Sequence, residues 1–327
     1  MNRRAFINRL ALTGLGFMGV ENRAFAVGRL GHDCMWEWGC MGSYFKAYFQ
    51  LPAGRTEAEF NSLRKEVAGM LSRLELIFSV HRPDSEALAL CRKANAQPGK
   101  PIAVSNDLMK VTGSALEYSE MTRGHFDLTV GSLTNYWRFC AASQKIPDPE
   151  RVELLRKRVG WGQLELGEKT ITFHPKSGEI LLDYGGIAKG YAADRAMACF
   201  RKAGITAAVL DLGGEIIASD APIGKSGWEI AILDPNGAVA GESVFLVNQA
   251  LSTSGDLYQS ISDKELHLSH VVNRREPAGL RKNSSVTVVA ESAVAADCLA
   301  TAAHSSMGSA DFAVISRLCE KIWSRSG

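Results

Sequence analysis

The stretch "LLDYGGIAKGYAADRA", residues 181–196, runs from an apolar segment through Asp183 and a glycine pair to a lysine and a helical pattern. Leu181, Leu182 and Tyr184 fit a strand ending at Gly185-Gly186. A helix begins near Ile187 and runs to Gly204, a residue suited to the position just past a helix end. Glycines let backbone N–H groups approach an anion closely, and a helix N-terminus favours negative charge. Lys189, in the first turn, adds a full positive charge. The stretch is not a Walker A loop, because Tyr191 follows Gly190 where that motif needs Lys, and it lacks GxGxxG spacing. A plain turn with a surface lysine explains the same residues, so the stretch alone leaves both readings open.

Outward from this stretch, periodicity sets the fold class. "MGSYFKAYFQL" (41–51) alternates and is aromatic-rich, which predicts a strand. Phe60, Leu63, Val67, Leu71, Leu74 and Phe78 fall at helical spacing between Glu57 and Phe78. Asp84 or Ser85 caps a short helix over 82–95, and Ser105 caps another to about Thr122. "GHFDLTVGSL" (124–133) reads as a turn and an extended segment, and 141–160 as a loop and a short helix. Strands are predicted near 179–183, 206–211, 214–219, 228–233, 243–248, 268–272 and 284–290. Helices are predicted at about 187–203 and 292–307, with a last one at about 309–321. Strands crowd the second half and alternate irregularly with helices. The pattern predicts an α+β fold, mixed or antiparallel sheets flanked by helices, rather than a doubly wound α/β fold.

The chain has 327 residues, 46% hydrophobic and 22% charged, an ordinary globular composition. No repeat of solenoid length is evident. Residues 1–26 read as a signal peptide: Arg3-Arg4 with Phe6, a short apolar run from Ala11 to Val20, and "AFA" at 24–26. The Arg pair fits the twin-arginine type, which carries folded proteins, so a periplasmic location is expected. Residues 27–327 are expected to form one domain. Removing 1–26 takes away four Arg and one Glu and turns a net charge of +2 into −1. That balance argues against nucleic acid as a partner. Seven cysteines without paired spacing do not make a disulfide framework or a zinc site. Cys199 and Cys298 fall on apolar helix faces, and Cys34 and Cys40 are close enough in sequence to leave a pairing open.

Four other stretches carry chemistry. "VLDLGGEI" (209–216) is a second strand ending in a glycine pair. In "SAVAADCLATAAHSSMG" (292–308), Ser292 is a helix cap, and Asp297 and Thr301, four apart, project from one helix face. A carboxylate on so apolar a helix needs a partner. A hard cation such as Mg²⁺ or a basic side chain would serve. "ALSTSGDLYQ" (250–259) gathers hydroxyl and backbone donors suited to phosphate or to a polar turn. "HLSHVVNRREPAG" (267–279) holds His270. No GxSxG and no triad spacing is present.

Taken in order, "MGSYF" (41), "PDSEALALCRKAN" (83–95), "GHFDLTVGSL", "LDYGGIAKGYAADRA" (182–196), "LDLGGEI", "LSTSGD" (251–256), "HVVNRREPAG" (270–279) and "VTVVAESAVAADCLATAAHSSMG" (286–308) resemble the ApbE family of Mg²⁺-dependent FAD:protein FMN transferases. The resemblance implies an ApbE-like fold with FAD in a central cleft. It implies FMN transfer from FAD to a Thr or Ser of an exported or membrane flavoprotein, with AMP released. Carried across, Asp297, Thr301 and a backbone carbonyl of the Gly185-Gly186-Ile187 turn, placed at Gly186, would hold Mg²⁺. Met41, Glu86, Asp127, Lys189, Asp194, Gly213, Gly214, Ser254 and Asp256 would hold FAD, and His270 would be the acid or base. Two departures stand out. Asn273-Arg274 replaces the family's Asp-Pro, and His81 replaces a Tyr expected near the flavin. The twin-arginine signal is similar to that of exported members tied to nitrous-oxide reductase maturation. Two other outcomes fit the same residues: an FAD pyrophosphatase giving FMN and AMP, and a flavin-binding protein without turnover.

Overall fold

The computed structural model describes residues 33–143, 145–235, 237–255, 260–263, 266–269, 275 and 284–326. The described chain opens with a hairpin, β1 (Cys34–Cys40) and β2 (Ser43–Phe49), joined at Met41-Gly42. Both turn residues have positive φ, 49° and 68°, as in the turn whose twist matches that of paired strands. The strand expected over 41–51 therefore starts at Ser43, and its partner β1 is an addition. Cys34 and Cys40 do not pair. They stand at opposite ends of β1, roughly 20 Å apart at about 3.3 Å per residue, far beyond disulfide reach.

Four helices follow: α1 (Asn61–Phe78), α2 (Glu86–Ala96), then α3 (Asn106–Met121) and α4 (Gly131–Ala142), with β3 (Ile102–Ala103) between α2 and α3. Ser85 and Ser105 cap α2 and α3 by accepting from Leu88 N at 3.3 Å and Leu108 N at 3.2 Å. Such caps contribute about 1 kcal/mol each. The segment expected to be extended to 133 turns helical at Gly131. Asp127 folds back onto Thr129 N at 2.8 Å, and Gly131 N bonds Leu181 O at 3.1 Å. A short α5 (Pro149–Arg156), β4 (Leu164–Leu166) and β5 (Thr170–Phe173) come next. The expected strand at 179–183 is reduced to one bridge, Val130 to Leu181, because its backbone pairs with the 128–131 turn instead.

The second half supplies α6 (Ala188–Lys202), β6 (Ala208–Leu212), β7 (Glu215–Ala218), β8 (Trp228–Leu233), β9 (Val239–Leu246), β10 (Gln249–Gly255), β11 (Ser260–Asp263), β12 (Leu266–Ser269), β13 (Ser284–Ala290), α7 (Ala293–Ser306), α8 (Asp311–Ser316) and β14 (Lys321–Ser326). The last helix ends earlier than expected, and β14 pairs with β13 as an edge strand. The main sheet has seven strands in the order β1-β2-β6-β7-β10-β13-β14, each neighbouring pair antiparallel. Alternation divides its residues between two cores. Phe45, Leu210, Leu212, Ile217, Val286 and Val288 pack under α6 and α7. Val209, Ile216, Leu251 and Val289 meet the β8–β9 hairpin through Trp228, Ile230 and Leu246. Burying each such side chain contributes about 1.5–3 kcal/mol. This is the α+β architecture expected. Among the described residues no helix is long and apolar enough to cross a membrane.

The helix pair α6–α7 determines the site. Alanines make close approach possible: Ala192, Ala193 and Ala196 on α6, Ala296 and Ala300 on α7, all fully buried. Asp194 ties the two together across 99 residues of sequence, accepting from Ala293 N at 2.9 Å and Val294 N at 3.0 Å. Ser292 adds a third cap bond, from Ala295 N at 3.2 Å. Asp194→Ala leaves two helix-terminal amides unpaired, so a loss of about 2 kcal/mol is expected, read as a lower urea midpoint. Cys298 is buried in this layer, whereas Cys199 is only half-buried, its Sγ 4.0 Å from Glu66.

Candidate active site

The first turn of α6 meets the glycine turn of β6–β7 and one face of α7. Tyr184 O accepts from Ile187 N at 3.1 Å and Ala188 N at 2.9 Å, which closes the turn before α6. A side-chain carbon at Gly186 would lie 2.9 Å from Thr301 Oγ1 and 3.3 Å from the Phe126 ring. Only glycine lets this backbone touch Thr301. Asp297 sits one helical turn before Thr301, and its Oδ2 accepts from Gly190 N at 3.1 Å. An α7 carboxylate is thus placed on an amide at the positive end of α6. Across the gap, Lys189 Nζ lies 2.5 Å from Glu215 Oε1. Gly213, at φ 63°, lets the β6–β7 turn lie against Ser43 and the Lys189 stem.

The electrostatics are those of a crowded acidic pocket. Asp297 is 3% exposed. Burial pushes its pKa up to about 7, and nearby Glu215 adds to the rise, while Lys189 and the Gly190 amide oppose it. Burial alone would lower the Lys189 pKa, but the carboxylates of Asp297 and Glu215 outweigh it and hold the amine above its ordinary value. Glu215 is 5% exposed, and its Oε2 is buried with no hydrogen-bond partner. The Thr301 hydroxyl makes no side-chain hydrogen bond among the described residues. On the other face of β6, burial raises Asp211 to about 6, against the amide of Gly214 at 2.7 Å and the hydroxyl of Tyr44 at 3.0 Å. A carboxyl raised on folding favours the folded state at low pH, and that contribution is lost as pH rises through about 6. Asp211→Asn is therefore expected to flatten the fall in stability between about pH 4 and 7, measured by urea unfolding across that range.

The side-chain donors gathered here are oxygens, those of Asp297 and Thr301, beside the Gly186 backbone. That set suits a hard cation, and the orphaned Glu215 oxygen marks a place where positive charge or a donor belongs. Among the described residues no group of three or more His, Cys, Asp or Glu is placed to hold a metal. Water and substrate oxygens would have to complete the shell, as is usual for Mg²⁺. The Lys189 ammonium suits a phosphate.

Comparison with known proteins then matches the sequence to the ApbE family over residues 41–321, most of the chain. The chain belongs to the ApbE family. It is 27% identical over 269 residues to the FAD:protein FMN transferase of Haemophilus influenzae, covering 80% of this chain and 77% of that protein. Its fold is similar to the flavin transferase ApbE from Vibrio cholerae, solved as a point mutant, with a TM-score of 0.76 at 24% identity over 90% of this chain and 97% of that one. The apo flavinyl transferase ApbE of Pseudomonas stutzeri gives a TM-score of 0.75 at 24% identity, covering 90% and 94%. The ApbE fold expected from the motifs is the fold observed.

Within this ApbE-family chain, the structure brings together Gly186, Lys189, Gly213, Asp297 and Thr301. Gly214 adjoins them but gives its amide to Asp211. Met41 forms the β1–β2 turn, with its amide donating to Glu75 Oε2 at 3.3 Å. Other expected residues are engaged elsewhere. Glu86 accepts from Ser105 N at 2.6 Å. Asp127 accepts from Thr129 and, at 3.2 Å, from Trp161 N. Both Asp194 oxygens cap α7, so its part is structural: it holds in place the helix that carries Asp297. Ser254 lies 3.3 Å from His304 Nδ1. Asp256, His270, Asn273 and Arg274 lie outside the described residues. Glu215 and Phe126 are site residues that the sequence reading missed. The signal for Glu215 was present in "LDLGGEI": a two-residue turn pairs it with the inward-facing Leu212, so it must face the helices too.

Proposed function

We propose that this chain is an exported, Mg²⁺-dependent FAD:protein FMN transferase, the activity its curated relatives are named for. The observation that carries the reading is the oxygen-lined pocket where Asp297 and Thr301 meet the Gly186 turn, beside the unpaired oxygen of Glu215. The reaction breaks the bond between the FMN phosphorus and the bridging oxygen of FAD, and joins that phosphorus to a Thr or Ser hydroxyl of the acceptor. AMP leaves, and the hydroxyl proton passes to a base, the role assigned to His270. Such a transfer asks the protein mainly for positioning and charge neutralisation. Asp297, Thr301 and the Gly186 carbonyl would hold Mg²⁺, which would supply charge neutralisation on the diphosphate. The Lys189 ammonium binds phosphate oxygens. Asp297 keeps the α6 turn closed through Gly190 N. The twin-arginine pattern at the N-terminus supports a periplasmic enzyme whose acceptor is an exported or membrane flavoprotein, of the type tied to nitrous-oxide reductase maturation.

Incubating the protein with FAD, with and without Mg²⁺ and acceptor, tests this. AMP that appears only with metal and rises on adding acceptor supports the transferase. AMP that forms equally well without acceptor means an FAD pyrophosphatase. FAD that binds without any AMP means a carrier.

A further inference from the structure

We infer that Glu215 is a positioning residue for the cation proposed above, its Oε2 accepting a hydrogen bond from cation-bound water while its Oε1 accepts from Lys189. The inference rests on that proposed cation site. Three observations lead to it. Glu215 is 5% exposed, and one of its two oxygens is satisfied by Lys189 at 2.5 Å. The other is fully buried and has no partner. A buried, unpaired carboxylate oxygen costs about 1–3 kcal/mol or more, so a native site retains one where a ligand completes it.

The protein donors explain what that ligand is. Asp297, Thr301 and a backbone carbonyl leave a six-coordinate hard cation short of oxygens, and Mg²⁺ keeps water in such positions. Water on a cation is a strong donor and needs acceptors around it. Glu215 faces the same pocket as Asp297, close enough for its charge to raise the Asp297 pKa. Its backbone position is fixed by the Gly213-Gly214 turn and by pairing with Leu212. The arrangement puts the ammonium and the cation's water on separate oxygens of one carboxylate. Residues that orient a metal's water or ligands in this way typically change metal affinity by roughly 10- to 100-fold when altered.

The alternative is that Glu215 serves Lys189 alone. Mn²⁺ binding to the whole protein, followed by electron paramagnetic resonance without flavin or acceptor, separates the two. Glu215→Gln keeps a carbonyl for Lys189 but puts an NH₂ donor where an acceptor is needed, and a roughly 10- to 100-fold weaker Mn²⁺ affinity is expected. The same loss is expected when Glu215→Gln is added to Lys189→Met, a background with no ammonium to neutralise. This double variant also covers the case in which the single one fails to fold, since no buried ammonium is left unpaired. If the loss disappears in the Lys189→Met background, or Glu215→Gln binds Mn²⁺ like the parent, the inference is overturned while the cation site stands. A parent protein that binds no Mn²⁺ overturns the cation site and the inference with it.

Discussion

Asp297→Asn is expected to lower Mg²⁺-dependent AMP release from FAD by about a thousand-fold or more, with the fold retained. Asn has the same shape and still offers an oxygen to Gly190 N, so the 3.1 Å bond that closes the α6 turn survives. What is lost is the only carboxylate in the Asp297–Thr301–Gly186 set. A cation held by one carboxylate, one hydroxyl and backbone depends on that single charge. Removing several kcal/mol of charge stabilisation in the transition state translates into about three powers of ten in rate. Circular dichroism and a thermal melt check the fold, and AMP quantitation checks the rate. Retention of even a tenth of parental AMP release would remove Asp297 from the metal site.

Gly190→Ala is expected to destabilise the protein by about 3 kcal/mol, an effect that helix propensity predicts with the wrong sign. Alanine in a helix interior is normally about 1 kcal/mol better than glycine. Here the added carbon would lie 2.4 Å from Ala293 O and 2.7 Å from Ala293 C. Both are backbone atoms at the start of α7, so no rotamer change relieves the contact, and the helices must separate. The same carbon would lie 3.0 Å from the Asp297 side chain, so the site moves with the helices. Gly204→Ala is the control. Nothing lies within 4 Å of it, and only its φ of 83° resists the change, at a cost of about 1 kcal/mol. Thermal melts should show a drop of several degrees for Gly190→Ala and a smaller one for Gly204→Ala. Equal melts would mean that α6 and α7 do not pack as described.

The parts of this structure that could be read from sequence are those decided locally. Ser85, Ser105 and Ser292 each precede a helical apolar pattern, and each caps its helix. Asp297 and Thr301 share a face because helical spacing alone requires it. Lys189 falls in a first turn because two glycines break the chain just before it. What failed depended on partners distant in sequence. Residues 179–183 have strand composition but bond to the 128–131 turn. "KIWSRS" becomes an edge strand only because β13 is there to pair with it. Asp194 looks like a ligand residue beside Lys189, yet its carboxylate goes to amides 99 residues on. In "LDLGGEI" the glycine pair is the conspicuous feature, yet the strand alternation that buries Leu212 also turns Glu215 inward.

Intact-mass spectrometry of the acceptor separates transfer of FMN to a protein hydroxyl from hydrolysis of FAD. The protein is incubated with FAD, Mg²⁺ and a candidate exported flavoprotein domain, and the acceptor is weighed before and after. The acceptor is expected to gain the mass of one FMN less one water, with AMP released in equal amount, and neither is expected when EDTA is present. AMP accumulating with every candidate acceptor unchanged in mass would contradict transfer and leave hydrolysis as the reaction.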